Sequence, residues 1–90
     1  MELKDTIHLM ASPNYKDRFL AEYWQVKIRY VKLKEMCQKW DKGELEFVPT
    51  CDRGIYSAQL ANMFGYLIVL EQRSHLENID LKENMFVNKL

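Results

Sequence analysis

The sequence predicts an all-α protein, an antiparallel hairpin of two long helices preceded by a short N-terminal helix. Three observations support this fold class. No glycine or proline interrupts the chain between Pro13 and Gly43, a break containing Pro49 follows, and a second long segment of helical apolar periodicity comes after it. With 90 residues and 48% hydrophobic composition, the chain forms one domain at most. We therefore expect a single helical-hairpin domain over residues 1–90.

Local signals indicate where the two long helices begin and end. Ser12 followed by Pro13 is typical of a helix start, with an N-cap hydroxyl and then a proline at the first helical position. Gly43 is suited to the C′ position of the first helix, and Thr50 or Asp52 can cap the second. The tail is either a short third helix or a flexible end. The expected elements are a helix at about 13–41, a loop at about 42–54, a helix at about 55–78 and a tail at 79–90.

Each long helix carries a seam of apolar and aromatic residues spaced by three and four. This spacing places them on one face, as in helices that pack together lengthwise. We expect the two seams to face each other. The first seam contains Tyr15, Phe19, Tyr23, Val26, Tyr30, Leu33, Cys37 and Trp40, and the second contains Tyr56, Leu60, Met63, Leu67, Leu70 and Ser74.

Additional apolar residues lie beside the seams, where a two-helix hairpin cannot cover them. They must meet the N-terminal helix, the tail or another copy of the protein. A homo-oligomer is the economical explanation, because large exposed apolar patches are rare on monomers. Gly65, inside the second helix, is typical of a site where another backbone approaches closely. These additional residues are Leu20, Trp24, Ile28 and Val31 on the first helix and Phe64 and Ile68 on the second.

A polar row runs beside each seam and mixes tyrosines, amides and guanidinium groups. Arginine binds phosphate through a planar fork, and tyrosine stacks on nucleic-acid bases. Two such rows lying close together would build a polar-aromatic groove. Spacing alone favours the simpler interpretation that these are solvated flanks with i,i+4 ion pairs. The rows are Tyr15, Arg18, Glu22, Gln25, Arg29 and Lys32, and then Gln59, Asn62, Tyr66, Val69 and Arg73.

Composition argues against several classes of function. The 13 basic and 13 acidic residues give zero formal charge, so we expect no DNA or RNA polymer as a partner. The longest apolar run, residues 63–70, is far shorter than the ~20 residues of a membrane span. We therefore expect no membrane partner. The N-terminus lacks the apolar core of a signal peptide, and we expect a soluble protein in the cytoplasm.

Signals for catalysis and metal binding are also lacking. The chain has no glycine-rich phosphate loop, no GxSxG motif and no HExxH motif. Its two cysteines and two histidines, Cys37, Cys51, His8 and His75, do not follow a metal-ligand spacing. We predict a protein that is not an enzyme, with no catalytic residue, no metal site and no cofactor.

The segments "YKDRFLAEY…KIRYVKLKEM" and "QLANMFGYLIVLEQRS" resemble small proteins of tailed phages and prophages of gut bacteria, crAss-like phages included. That group is similar to the hairpin-type phage sponges that defeat CBASS and Thoeris immunity. The resemblance covers most of residues 15–74. The positions that carry it are Tyr15, Arg18, Glu22, Arg29, Lys32, Leu33, Gln59, Leu60, Met63, Tyr66, Leu70 and Arg73.

The resemblance implies a homo-oligomer that binds a nucleotide second messenger between subunits without cleaving it. The messenger would be a cyclic oligonucleotide or a cyclic ADP-ribose-like signal in the host cytoplasm. On this hypothesis Arg18, Arg29, Lys32 and Arg73 bind phosphates, Tyr15 and Tyr66 stack on bases, and Gln59 reads a base edge.

Two other hypotheses stay open. In the first, the chain is a protein–protein adaptor or inhibitor that docks through the Leu20–Trp24–Ile28–Val31 stripe. In the second, it is a virion or packaging accessory protein. An adaptor would be a monomer or dimer with that stripe exposed, whereas a sponge would form a stable homo-oligomer by itself.

Overall fold

A computed structural model describes residues 1–81 and contains no strand in that part of the chain. A 3₁₀ turn at Leu3–Thr6 continues into α1 at Ile7–Met10, and the long helices are α2 at Tyr15–Asp41 and α3 at Arg53–Leu76. The prediction of an all-α fold with two long helices and a short N-terminal helix is confirmed. Residues 1–12 are called the N-terminal segment below.

The start of α2 differs from the predicted one at residue 13. Asn14, not Ser12, is the N-cap, and its side-chain oxygen accepts a 2.9 Å hydrogen bond from the Lys16 N–H. The Ser12 hydroxyl accepts from the Asn14 N–H at 3.1 Å and donates to Asp17 Oδ2 at 2.7 Å. Ser12 therefore fixes the turn that leads into the helix, while asparagine, an equally good capping residue, takes the cap.

Each long helix is followed by a residue with a left-handed backbone conformation, at which the chain reverses direction. Gly43, with φ 72°, occupies the C′ position after α2 as predicted, and its N–H donates to the Trp40 carbonyl at 2.9 Å. Asn78, with φ 56°, does the same after α3, which ends at residue 76 rather than 78. The Ile79 N–H then donates to the Ser74 carbonyl at 2.8 Å, completing a Schellman motif. The reversal at Asn78 directs the following residues back along the hairpin.

The two long helices pack antiparallel along the predicted seams. Side chains near the start of α2 meet side chains near the end of α3. Beside the loop, side chains near the end of α2 meet side chains near the start of α3. The Tyr23 hydroxyl donates to Glu71 at 3.0 Å, and the Trp40 and Tyr56 ring centroids lie 5.7 Å apart. The buried seam residues are Phe19, Tyr23 and Cys37 on α2 and Leu67, Leu70 and Ser74 on α3.

The second apolar stripe of α2 is covered by the protein's own chain. Leu20, Trp24 and Ile28 are buried in one cluster with Leu9 of the N-terminal segment and Ile79 beyond α3. The Trp24 indole N–H donates to the Leu81 carbonyl at 2.9 Å. The stripe is therefore not an exposed docking surface, and a second copy is not required to cover it. Residues 82–90 of the predicted tail lie outside the described residues.

One uncharged face of α3 remains largely open to solvent, although Phe64 on this face also lies beside Tyr30 of α2, with the ring centroids 6.1 Å apart. No charged residue occurs between Arg53 and Glu71, and Phe64 and Ile68 are 53% and 41% exposed. A Cβ atom added to Gly65 would meet no atom within 4 Å, so no backbone of the described chain approaches it. No helix within residues 1–81 is long and apolar enough to cross a membrane.

Candidate ligand-binding flank

The polar rows of α2 and α3 meet towards the open end of the hairpin, away from the loop, where a hydrogen bond joins them directly. The Tyr66 hydroxyl donates to the Glu22 carboxylate across the two helices. The Tyr15 hydroxyl donates to Glu77 Oε1 at 3.1 Å, and Arg73 binds the same carboxylate. We call Tyr15, Glu22, Tyr66, Arg73 and Glu77 the open-end cluster.

Arg73 is the cation of the open-end cluster. Its Nε donates to Glu77 Oε2 at 2.7 Å, and its Nη2 lies 3.4 Å from Oε1 of the same carboxylate. The guanidinium group lies 4.8 Å from the centroid of the Phe19 ring, a distance at which the cation is attracted to the ring. Nη1 makes no hydrogen bond to any residue of the described chain, and the side chain is 44% exposed. Arg73 is thus held in place with a donor still available to a ligand.

The protonation states of the open-end cluster follow from these contacts. Hydrogen bonding to Glu22 raises the pKa of Tyr66 above its ordinary value, and hydrogen bonding to Glu77 does the same for the pKa of Tyr15. Hydrogen bonding from Arg73 lowers the pKa of Glu77. Both phenols therefore stay neutral donors at physiological pH, and Glu77 stays ionised beside the permanent cation of Arg73.

The remaining candidate residues lie outside the open-end cluster. Arg18 is exposed, and its Nη1 donates to the Ser12 carbonyl at 2.8 Å, supporting the turn before α2. Arg29 lines a cleft of about 330 Å³ between the N-terminal segment and α2. Lys32 lines a different groove, of about 290 Å³, together with Trp24. Gln59 is exposed on α3. The structure thus brings Tyr15, Tyr66 and Arg73 together, and it separates Arg18, Arg29, Lys32 and Gln59 from them.

Two features of this flank were missed from sequence alone. Glu77 follows Arg73 by four residues, and that spacing could have indicated an ion pair. The role of Gln25 had no such signal, because its amide donates to Thr6 Oγ1 at 2.9 Å and lies 3.4 Å from Met10 Sδ. These bonds attach the N-terminal segment to α2 across a tertiary contact.

A second arginine-centred arrangement occurs at the opposite end of α3. Arg53 binds Asp41 through both of its carboxylate oxygens, at 3.0 and 3.1 Å, and donates to Ser57 Oγ at 2.8 Å. Its guanidinium group lies 5.9 Å from the Trp40 ring centroid. We call Trp40, Asp41, Arg53 and Ser57 the loop-end cluster. It joins the last residue of α2 to the first residue of α3.

No group of three or more histidine, cysteine, aspartate or glutamate side chains within residues 1–81 is placed to hold a metal ion. The open-end cluster contains one arginine, two tyrosines and two carboxylates. These groups can form hydrogen bonds, ion pairs and stacking contacts.

A family model described as Sequestin matches residues 13–76, which is well over half of the chain. The chain belongs to the Sequestin family. The matched range contains α2, the loop and α3, including all of the open-end cluster except Glu77. The family name suggests that a ligand is sequestered, which is a binding role rather than a catalytic one. No curated protein and no solved structure matches the chain.

Proposed function

We propose that this Sequestin protein binds and sequesters, without cleaving it, a nucleotide second messenger made by a host antiphage defence system. The messenger is a cyclic oligonucleotide or an ADP-ribose-derived signal. The observation that carries the proposal is the open-end cluster, where Tyr15, Tyr66 and Arg73 come together on a chain whose family name denotes sequestration. As a phage protein it would act in the bacterial host cytoplasm.

The cluster offers complementary groups for a nucleotide. Arg73 presents a free Nη1 to a phosphate oxygen, and the half-exposed rings of Tyr15 and Tyr66 offer faces for base stacking. Glu22 and Glu77 can accept hydrogen bonds from ribose hydroxyls or base amino groups. Because Arg73 is already held by Phe19 and Glu77, its side chain loses less conformational entropy when a ligand binds, and this favours high affinity.

The remaining candidate residues would extend the site along the same flank or across a subunit boundary. In this proposal Arg18, Arg29 and Lys32 contact further phosphates, and Gln59 contacts a base edge. All of them are exposed in the isolated chain, so each is available to a ligand or a neighbouring subunit.

The uncharged, largely exposed face of α3 that contains Ile68 supports the homo-oligomer in this proposal. Ile68→Asp places a charge on that face and should convert the oligomer to a monomer in analytical ultracentrifugation. Val48→Asp is the matched control, because Val48 is 91% exposed in the loop, and its oligomer should persist. A wild-type monomer at all concentrations would remove the oligomer from the proposal.

The deciding experiment is a thermal-shift screen of the purified protein. The panel holds cyclic dinucleotides, cyclic trinucleotides, cyclic ADP-ribose isomers and linear ADP-ribose conjugates. Ligand released by heating the complex is then analysed by chromatography. A shift with intact ligand recovered is the expected result. Altered ligand would indicate an enzyme, and no shift across the panel would reject nucleotide sequestration.

The adaptor alternative has less support from the structure. Its docking stripe was Leu20, Trp24, Ile28 and Val31, and of these only Val31 is exposed, at 39%. A partner protein would have to displace both the N-terminal segment and the chain at Leu81 before it reached Trp24. The stripe therefore contributes to the protein's own core.

A further inference from the structure

The cleft between the N-terminal segment and α2 contains cations that the fold does not use. Lys4 and Arg29 both line this cleft of about 330 Å³, from the N-terminal segment and from α2 respectively. Both side chains are exposed. Neither forms a hydrogen bond or an ion pair with any residue from 1 to 81. By contrast, Arg53 and Arg73 each bind a carboxylate, and Arg18 binds a backbone carbonyl.

Acidic groups near the cleft are already engaged in local structure. Glu2 and Asp5 form a reciprocal capping box, in which each carboxylate accepts a backbone N–H from the other end of the 3₁₀ turn. Neither residue lines the cleft. The positive charge of Lys4 and Arg29 is therefore not offset by a carboxylate within the cleft lining. Such an uncompensated pair favours an anion.

The cleft is also held open by specific contacts. Gln25, one of the lining residues, donates to the buried Thr6 hydroxyl and lies against Met10 Sδ. Thr6 in turn donates to the Leu3 carbonyl at 2.7 Å. These bonds fix the spacing between the N-terminal segment and α2. The rest of the lining is apolar, with Leu3, Ile7 and Met10, which suits the face of a sugar or base.

We propose that this cleft binds a phosphate or pyrophosphate group of an organic phosphate ester, with Lys4 and Arg29 as its phosphate ligands. Gln25 acts as a positioning residue through Thr6. The proposal rests on the proposed function for the nucleotide character of the natural ligand. Arg29 lies seven residues beyond Glu22 on α2, about 10 Å along the helix at 1.5 Å per residue. The cleft and the open-end cluster are therefore neighbouring sites on one flank.

The proposal also gives the N-terminal segment a function. Residues 1–12 lie outside the range matched by the Sequestin family model, yet they supply Lys4 and one wall of the cleft. On this inference the long helices provide the family scaffold, and the N-terminal segment of this chain adds a contact to the ligand's phosphates.

The test is a titration of ¹⁵N-labelled protein followed by NMR, with inorganic pyrophosphate and ADP-ribose as separate probes. Amide shifts are expected at residues 3–10 and 25–29 with both probes. Lys4→Gln and Arg29→Gln should each weaken pyrophosphate binding about tenfold or more, because each removes a charged hydrogen-bond donor. Lys42→Gln, which removes an exposed lysine at the far end of α2, is the matched control and should change affinity less than twofold.

Circular dichroism of each variant should match the wild type, and Arg29→Lys should retain part of the affinity because it keeps the charge. Three results would overturn the cleft as a phosphate site. They are shifts confined to residues near Tyr66 and Arg73, an equal loss in Lys42→Gln, and no pyrophosphate binding at all. The first would leave the proposed function standing. Pyrophosphate binding in the cleft with no binding of any nucleotide in the panel would support the anion site and reject nucleotide sequestration.

Discussion

Each end of α3 carries an arginine that lies over an aromatic ring and binds a carboxylate. The two arginines differ in which of their guanidinium nitrogens remain without a hydrogen-bond partner within residues 1–81. At the loop end, Arg53 joins α3 to Asp41 of α2 and also binds Ser57, so its donors serve the fold. At the open end, Arg73 binds Glu77 just beyond its own helix and keeps Nη1 free. The same residue types therefore close a loop in one place and present a donor to solvent in the other.

The hydrophobic packing behind the two arrangements differs as well. The buried cluster behind the open end draws on the N-terminal segment, both long helices and the chain after α3. Near the loop, Cys37 is the buried hydrophobic residue of α2, while Phe47 and Ile55 are exposed. Most of the buried apolar side chains thus lie in the part of the hairpin that carries the open-end cluster.

The largest expected effect comes from removing part of that apolar packing. Leu70 is 1% exposed at the centre of the open-end packing, and Leu70→Ala should lower the free energy of unfolding by about 2–5 kcal/mol. Leu60→Ala, at a half-buried position nearer the loop, should cost clearly less. Urea titrations monitored by circular dichroism measure both. Equal losses would show that the packing is uniform along the hairpin.

The next prediction separates the two arginines by their effect on ligand binding. Arg73→Gln should weaken binding of the sequestered nucleotide about tenfold or more, because it removes a charged donor to the ligand. Arg53→Gln should leave the affinity within twofold of wild type and instead speed amide hydrogen exchange in residues 42–52. Calorimetric titration and hydrogen-exchange mass spectrometry give the two readouts. Similar affinities for both variants would remove Arg73 from the site.

A smaller effect should distinguish two glycines near the loop end. Gly43 has φ 72°, where an alanine side chain is strained, so Gly43→Ala should lower stability by about 1–2 kcal/mol. Gly54→Ala, in the first turn of α3 with open space around its Cβ position, should raise stability by about 0.4–1 kcal/mol. Thermal and urea unfolding report both changes. A stabilising Gly43→Ala would argue against the left-handed conformation of Gly43 at the end of α2.

The smallest expected effect is a shift in tyrosine titration. Because Glu22 raises the pKa of Tyr66, the neutral phenol is favoured in the folded state. The resulting stability is present below the ordinary pKa of tyrosine and is lost as pH rises through the folded value. Glu22→Gln should move the ultraviolet-detected tyrosine titration to lower pH. Glu35→Gln, on the same helix but outside the open-end cluster, is the control and should not move it.

Much of the fold could be predicted from local patterns. The seams predicted which faces of the two long helices pack together, because residues spaced by three and four share a helix face. Gly43 indicated the end of α2. The sequence did not decide the capping residue, because Ser12 and Asn14 are both good caps. In the structure the Asn14 side chain accepts from Lys16 N–H, while Ser12 accepts from Asn14 N–H. The burial of Trp24 could not be predicted, because it depends on tertiary contacts with Leu9 and Ile79, which are far from it in sequence.

The candidate site was predictable to a lesser degree. Helical spacing placed Tyr66 and Arg73 on one flank of α3, and the structure joins them to α2 through Glu22 and Tyr15. Spacing within a helix could not reveal the cleft at Arg29, because its other wall comes from the N-terminal segment. That wall is positioned by contacts between elements, for which a single sequence holds no periodic signal.

The chain contains two tryptophans, and the fold places one near each end of the hairpin. Trp24 is buried in an edge-to-face contact with Tyr23, while Trp40 is only partly buried beside Tyr56. A shielded indole emits at shorter wavelength than a wetter one. The two tryptophans should therefore differ in emission maximum. Changes at longer wavelength would report opening of the loop end at Trp40, and changes at shorter wavelength would report unfolding around Trp24, without any added label.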